Sequence, residues 1–293
     1  MPVSLSLQSA IQQKLSAKFA FAESIHFTAV GGGSINDTYR IRFGERNAFC
    51  KMNSAIRFPQ LFAKEKAGLK LIAKQKLIKT PEIIDCFEEA GTQVLMLEWV
   101  QAGERTEAFW KRFGEGLAAL HRVSAEAFGL LENNYMGSVP QSNVRHKTWT
   151  AFFLAERLQP MIQRCLLNGQ LNKTHLRQFE NLEKRLSQIF EDENPSLLHG
   201  DLWSGNFMCD QNSEPVLIDP AVYFGHRSID LAMTTLFGGF QSPFYESYRH
   251  HFPFPDNYEE QWAVCNLYPL LIHLYLFGTS YLPQIENTLQ RFA

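Results

Sequence analysis

Three oxygen-bearing side chains define the chemistry open to this sequence: Asp201, Asn206 five residues later, and Asp219 at the end of the apolar run Val216-Leu217-Ile218. Two carboxylates and an amide oxygen are hard ligands of the kind that suits Mg2+ bridging nucleotide phosphates. A loop carboxylate placed like Asp201, just ahead of the amide, can accept the proton of an attacking hydroxyl. The interval from Asp201 to Asn206, followed by a second Asp at a strand end, matches the base and metal ligands of a kinase catalytic loop. Asp201 or Asn206 taken alone is better explained as a turn cap. Together, with His199 ahead of them and His226, Arg227 and Asp230 behind, they point to phosphoryl transfer.

Such a site needs elements that deliver the groups to one place. Asn212-Ser213-Glu214-Pro215 reads as a turn between Asn206–Cys209 and Pro215–Ile218, a short hairpin that holds Asp219 at its end. The phosphates need a cation. Lys51 lies in the strand Ala48–Met52, and Glu65 lies in the middle of a helix running from about Phe58 through Ile72, the arrangement in which kinases orient a phosphate-binding lysine. The alternative is a solvated strand lysine and an exposed helix glutamate.

Around these, a helix is expected over residues 9–21. Strands are expected at Ile25–Val30, Thr38–Phe43 and Ala48–Met52, an antiparallel flap with Gly31-Gly32-Gly33-Ser34 between the first two. Gly32, Gly33 and Ser34 are candidates to lay backbone N–H groups on phosphates; a flexible hairpin tip is the other reading. Asn36 stands where a dinucleotide fingerprint needs its third glycine, and no GxxxxGK[ST] occurs. A second hairpin, Thr80–Phe87 with Thr92–Val100, ends at the polar break Gln101–Glu104. Glu98, Trp99 and Val100, at that break, are candidates for the adenine edge. The organisation is therefore α+β in two lobes: residues 1–100 form a small antiparallel-sheet nucleotide lobe, and residues 101–293 form a larger helical lobe for catalysis and the acceptor.

Composition agrees with two packed cores in 293 residues: 45% of residues are hydrophobic, with 24 Phe. A formal net charge of -2 gives no electrostatic case for nucleic acid or an anionic membrane. No signal peptide or membrane span is apparent. Five scattered cysteines without a CxxC pair suggest reduced thiols in the cytoplasm. The helical lobe begins with the period of Phe109, Trp110, Phe113, Leu117 and Leu120, with His121 packed at the helix end. Asn133–Asn143 reads as a turn-rich loop, and Trp149–Leu158 and Leu171–Phe190 as helices. After Asp219, Pro220-Ala221 replaces Phe-Gly, and Asp230 follows too soon for a long activation segment. The acceptor is expected to be a small molecule.

With those residues in view, the chain resembles the fructosamine kinase family, a branch of the protein-kinase-like fold near the aminoglycoside phosphotransferases. The resemblance runs through GGGSIND, FCKMN, FAKEKAGL, LMLEW, NNYMGSVPQSN, LLHGDLWSGN, DPAVYFGHRSIDLAMTTLFGGF and LYPLLIHLYLFG. It implies ATP- and Mg2+-dependent phosphorylation of a sugar hydroxyl on a ketoamine, such as a glycated lysine, in deglycation repair. It further implies Asp201 as base, Asn206 and Asp219 as metal ligands, Lys51 on phosphate with Glu65 as its partner, and Trp203 and His199 on the acceptor side. The departure at Ser34–Asp37 means that no redox-sensitive flap is implied, and those at Asn143–Trp149 and Ser228-Ile229 leave the acceptor open. Other small hydroxyl compounds (an aminoglycoside, choline, a free sugar) and a non-catalytic nucleotide-binding role are the competing readings.

Overall fold

His26–Ala29 (β1), Asp37–Phe43 (β2), Arg46–Ser54 (β3), Ile83–Glu89 (β4) and Thr92–Glu98 (β5) form one antiparallel sheet in the order β1-β2-β3-β5-β4. The computed structural model describes residues 3–21, 23–31 and 35–292, so the phosphate contacts expected of Gly32, Gly33 and Ser34 lie outside the described residues. Side chains alternate across a strand. Cys50, Met52, Val94 and Met96 therefore share one face, where they pack with Leu7, Ile11 and Leu15 of Leu5–Phe19 (α1). Leu95 and Leu97 turn to the opposite face and pack with Leu61, Phe62 and Leu69 of Leu61–Gln75 (α2). Lys51, between Cys50 and Met52, is thereby aimed at α2. The first helix begins earlier than its apolar pattern suggests because the Ser4 hydroxyl caps it, accepting from the Leu7 N–H at 3.4 Å.

The second lobe opens with Glu107–His121 (α3), capped by Thr106 and buried along Phe109, Trp110, Phe113, Leu117 and Leu120. The expected boundary at residues 100 and 101 falls between β5 and α3. The chain there is pinned, with the Gly103 N–H donating to the Cys209 carbonyl at 2.9 Å. Residues 133–143 are more ordered than a loop: Asn134–Met136 (β6) and Val139–Gln141 (β7) pair as a hairpin. Trp149–Phe152 (α4) runs through a π-helical turn, Phe153–Leu158, into Gln159–Leu167 (α5). The stretch expected as one helix over 171–190 is two, Lys173–Glu183 (α6) and Leu186–Ile189 (α7).

Ser196–Leu198 (β8), Phe207–Cys209 (β9), Pro215–Leu217 (β10) and Tyr223–Gly225 (β11) make two short antiparallel pairs, β9 with β10 and β8 with β11. The Asp201 loop springs from β8 to β9, and Asp219 lies between β10 and β11. Ser228–Leu236 (α8), Ser242–His251 (α9), Tyr258–Cys265 (α10), Leu267–Phe277 (α11) and Leu282–Gln290 (α12) complete the chain.

His226, in the turn into α8, is buried; its Nδ1 accepts from the Ser228 N–H at 3.3 Å, and its Nε2, 3.6 Å from Glu193 Oε2, has no hydrogen-bond partner among the described residues. Burial pulls its pKa down to about 4, against the nearby Glu193 carboxylate. The ring stays neutral when folded but charges freely when unfolded. Its contribution is thus complete above about pH 6.5 and is lost as pH falls through about 4, an effect of about 3 kcal/mol. His226→Asn keeps an acceptor for Ser228 without the titrating ring. Urea unfolding across that window should show a shallower acid dependence in the variant; parallel curves would refute the assignment.

Candidate active site

Lys51 is 2% exposed, and its ammonium donates to Glu65 Oε1 at 2.8 Å and to Asp219 Oδ1. Glu65 reaches it because Leu61, Glu65 and Leu69 recur at four-residue steps along the sheet-facing stripe of α2. Burial alone would lower the Lys51 pKa, but the charges of Asp219 and Glu65 raise it, so the group stays an ammonium. Burial holds the Glu65 carboxyl above the usual carboxylate range, with Lys51 pulling it back. One cation from the sheet thus joins a carboxylate of α2 to a carboxylate of the second lobe.

The Asn206 amide nitrogen donates to the Asp201 carbonyl at 2.8 Å and to its Oδ2 at 2.9 Å. The Ile218 N–H donates to the Asn206 carbonyl at 3.0 Å, which ties the loop to the strand leading into Asp219. With its nitrogen committed, the Asn206 amide has its oxygen left for a cation, and Asp219 adds a carboxylate. That donor set fits Mg2+. Burial pushes Asp201 up to about 7, with the Asn206 hydrogen bond opposing. A carboxylate at that value suits general-base work near neutral pH.

His199 requires a correction. It is fully buried and lines neither cavity of the cleft. Its Nε2 donates to the Ile218 carbonyl at 2.9 Å and its Nδ1 accepts from the Asp201 N–H at 3.3 Å. Both ring nitrogens hold the loop, so the side chain has no atom to offer an acceptor. Asp230, which was not among the expected site residues, does comparable work. Fully buried on α8, it accepts from the backbone N–H groups of His199 at 2.7 Å and Gly200 at 2.8 Å, and from His121 Nε2 at 3.1 Å. Gly200 cannot be replaced there: its φ is +83°, and a Cβ would stand 2.2 Å from the Ala221 carbonyl oxygen.

Two adjoining cavities share Asn36, Lys51 and Asp219. The more apolar one runs beneath the flap, lined by Val30, Gly31, Phe49, Leu97, Trp99, Val100 and Met208. Glu98 also lines it, but its N–H donates to the Glu82 carbonyl at 2.8 Å and is not on offer to a base edge. Glu98, Trp99 and Val100, the residues expected at the adenine edge, all line this cavity, Glu98 with its carbonyl rather than its N–H to offer. The second cavity is lined by Glu65, Asp201, Trp203, Asn206 and Tyr135. Trp203 meets Phe237 edge-on at 5.8 Å, and its ring lies where a Cβ on Gly205 would come within 2.4 Å. Sequence reasoning thus located Lys51, Glu65, Asp201, Asn206, Asp219 and Trp203 in one cleft; it missed Tyr135, whose hairpin was read as a loop.

The family model described as fructosamine kinase matches residues 6–293. A protein named probable ketoamine kinase in Synechocystis sp. is 36% identical over 269 residues, covering 90% of this chain and 88% of that protein. A crystal structure named for fructosamine-3-kinase from Haemophilus somnus superposes with a TM-score of 0.87 at 26% identity, covering 96% of each chain. An aminoglycoside phosphotransferase in ternary complex with AMP-PNP and hygromycin B shares the fold alone, with a TM-score of 0.65 at 15% identity, covering 96% of this chain and 98% of that one. Among the described residues, no helix is long and apolar enough to cross a membrane.

Proposed function

The chain belongs to the fructosamine kinase family, and from that premise we propose that it is an ATP-dependent ketoamine kinase that phosphorylates a sugar hydroxyl of glycated amines. The observation that carries this reading is the ion-pair bridge from Lys51 to both Glu65 and Asp219, with Asp201 and Asn206 lining the same cleft. In this reading the nucleotide base occupies the apolar cavity beside Trp99 and Val100, and Lys51 binds the phosphates. Asp201 takes the proton of the acceptor hydroxyl as it attacks the terminal phosphorus, and ADP leaves. Asn206 and Asp219 would hold Mg2+, which when bound neutralises charge on the phosphates. All five cysteines are free thiols, which supports the reducing cytoplasm as its place; in this reading its task is repair of glycated proteins or amines.

ADP release with ATP, Mg2+ and a side-by-side panel of fructose-lysine, ribulose-lysine, an aminoglycoside, choline and free sugars tests this. Turnover confined to the ketoamines is expected. Preference for any other class would replace the substrate assigned here. Trp203 is the acceptor-side aromatic, and a sugar or amine-bearing chain can pack on its face. Trp203→Leu should raise the ketoamine KM roughly 10-fold, the value of about 1.4 kcal/mol of lost contact, with the ATP KM unchanged. Equal effects on both constants would mean the ring supports the loop instead.

A further inference from the structure

Asp219 has a φ of +56°, the left-handed region that side-chain-bearing residues rarely adopt, and Pro220 restricts it further. Such a conformation persists only where its surroundings over-determine it. The catalytic loop supplies one side of that constraint: the Ala221 N–H donates to the His199 carbonyl at 2.9 Å. The other side comes from the β6–β7 hairpin, whose Asn134 and Tyr135 line the same cavity as Asp201 and Asn206. Two side-chain amides of the β6–β7 hairpin reach across to the backbone just after Asp219. Asn134 Nδ2 donates to the Val222 carbonyl at 2.8 Å, and Gln141 Nε2 to the Ala221 carbonyl at 3.3 Å.

Those amides are themselves locked. Asn134 Oδ1 accepts from Gln141 Nε2 at 2.8 Å and from Asn143 Nδ2 at 3.0 Å, and the Tyr268 hydroxyl donates to Gln141 Oε1 at 2.8 Å. Behind them, Arg157 donates to Asn143 Oδ1 at 2.7 Å and to the Ser142 carbonyl. This guanidinium is fully buried, lies 4.0 Å over the Tyr223 ring, and among the described residues makes no ion pair with a carboxylate. Burying a cation on neutral partners is costly, and Arg157 sits in the π-helical turn, a departure from α geometry that often marks functional positions. Arg157 Nε has no hydrogen-bond partner among the described residues, but the amides of Asn134, Gln141 and Asn143 are joined to one another, and linked amides of this kind rigidify what they touch.

We propose that Asn134 and Gln141, held by Asn143, Tyr268 and Arg157, are positioning residues that brace residues 221–222 and so fix the Asp219 carboxylate where it serves the metal-bound nucleotide. This rests on the kinase reading only for what Asp219 does. Asn134→Asp is the selective variant: its carboxylate still accepts from Gln141 and Asn143 but turns an oxygen against the Val222 carbonyl. In the full-length protein, the Mg2+ concentration that gives half of the gain in ADP affinity should rise by roughly 10- to 100-fold, as for other supports behind a metal ligand. In metal-free protein, amide exchange of Ile218, Asp219, Ala221 and Val222 should quicken while that of β2 and β3 does not change. If Asn134→Asp does not fold, Tyr268→Phe removes only the hydroxyl that fixes Gln141. It should shift the same midpoint roughly 2- to 10-fold, one neutral hydrogen bond's worth. A folded variant that melts earlier with an unchanged Mg2+ midpoint and unchanged exchange overturns the proposal. The binding assay needs no acceptor, so a chain inert toward every ketoamine would sink the proposed activity while this test still returned its own result.

Discussion

Asp201→Asn should bind ATP with Mg2+ as the parent does and turn over at least ~10²-fold more slowly. The substitution is nearly isosteric, and its amide oxygen can still accept the Asn206 bond now made at 2.9 Å. The loop is otherwise held by groups the change leaves alone: His199 Nδ1, the Trp203 carbonyl and the two oxygens of Asp230. What disappears is the capacity to take a proton. The carboxyl of Asp201, raised to about 7 chiefly by burial, disfavours its charged form in the fold, and the stabilisation that goes with a raised carboxyl is lost as pH rises through that value. Removing it should therefore leave stability at neutral pH unchanged or slightly higher. A kcat loss paired with an undiminished melting temperature is the expected pattern. A rate within tenfold of the parent would remove Asp201 from the base role, because positioning alone would then explain catalysis.

The Lys51 bridge was legible in sequence because each half obeys a local period. Strand alternation puts Lys51 opposite Cys50 and Met52, and the four-residue step puts Glu65 in line with Leu61 and Leu69. Asp219 joined them because a run of Val, Leu and Ile ends on it. His199 misled for the converse reason. A histidine two residues before a catalytic carboxylate looks reactive, and only the Ile218 carbonyl, 19 residues away and brought in by the β9–β10 pair, shows its ring to be occupied. Asp230 did leave a signal, a lone carboxylate in the apolar run Ile229 to Met233. Its partners are backbone N–H groups about 30 residues upstream, which no side-chain pattern announces.

The β6–β7 hairpin shows a different limit. Its strands have three residues each, too few for alternation to register, and its inward side chains Asn134 and Gln141 are polar. Polar residues between turn formers read as a solvated loop. Here Gln141 is buried and Asn134 half-buried because the carbonyls of Ala221 and Val222 need donors. Backbone requirements of one segment thus dictated the side chains of another nearly ninety residues earlier, a dependence that only the folded chain displays.

Lys51→Met carries the second large effect, and its consequences for catalysis and stability separate. Loss of a preorganised cation on the transferring phosphoryl group should lower kcat by roughly 10²- to 10³-fold. Methionine fills the space of the lysine stem, so the sheet core on that face survives. The electrostatic balance does not. Glu65, already above the usual carboxylate range through burial and held down by Lys51, loses the group that keeps it ionised and takes up a proton near neutral pH. A carboxyl raised further in the fold contributes its stability at low pH and loses it as pH rises. The destabilisation should accordingly be small in mild acid and grow in mild alkali toward the ~3–5 kcal/mol of a buried charge left alone. Adding Glu65→Gln to Lys51→Met removes that titration and should flatten the pH dependence while turnover stays low. If the double variant recovers activity along with stability, the lysine acts through α2 rather than on the phosphates. If Lys51→Met alone turns over at the parental rate, the bridge is structural and the nucleotide must be bound elsewhere in the cleft.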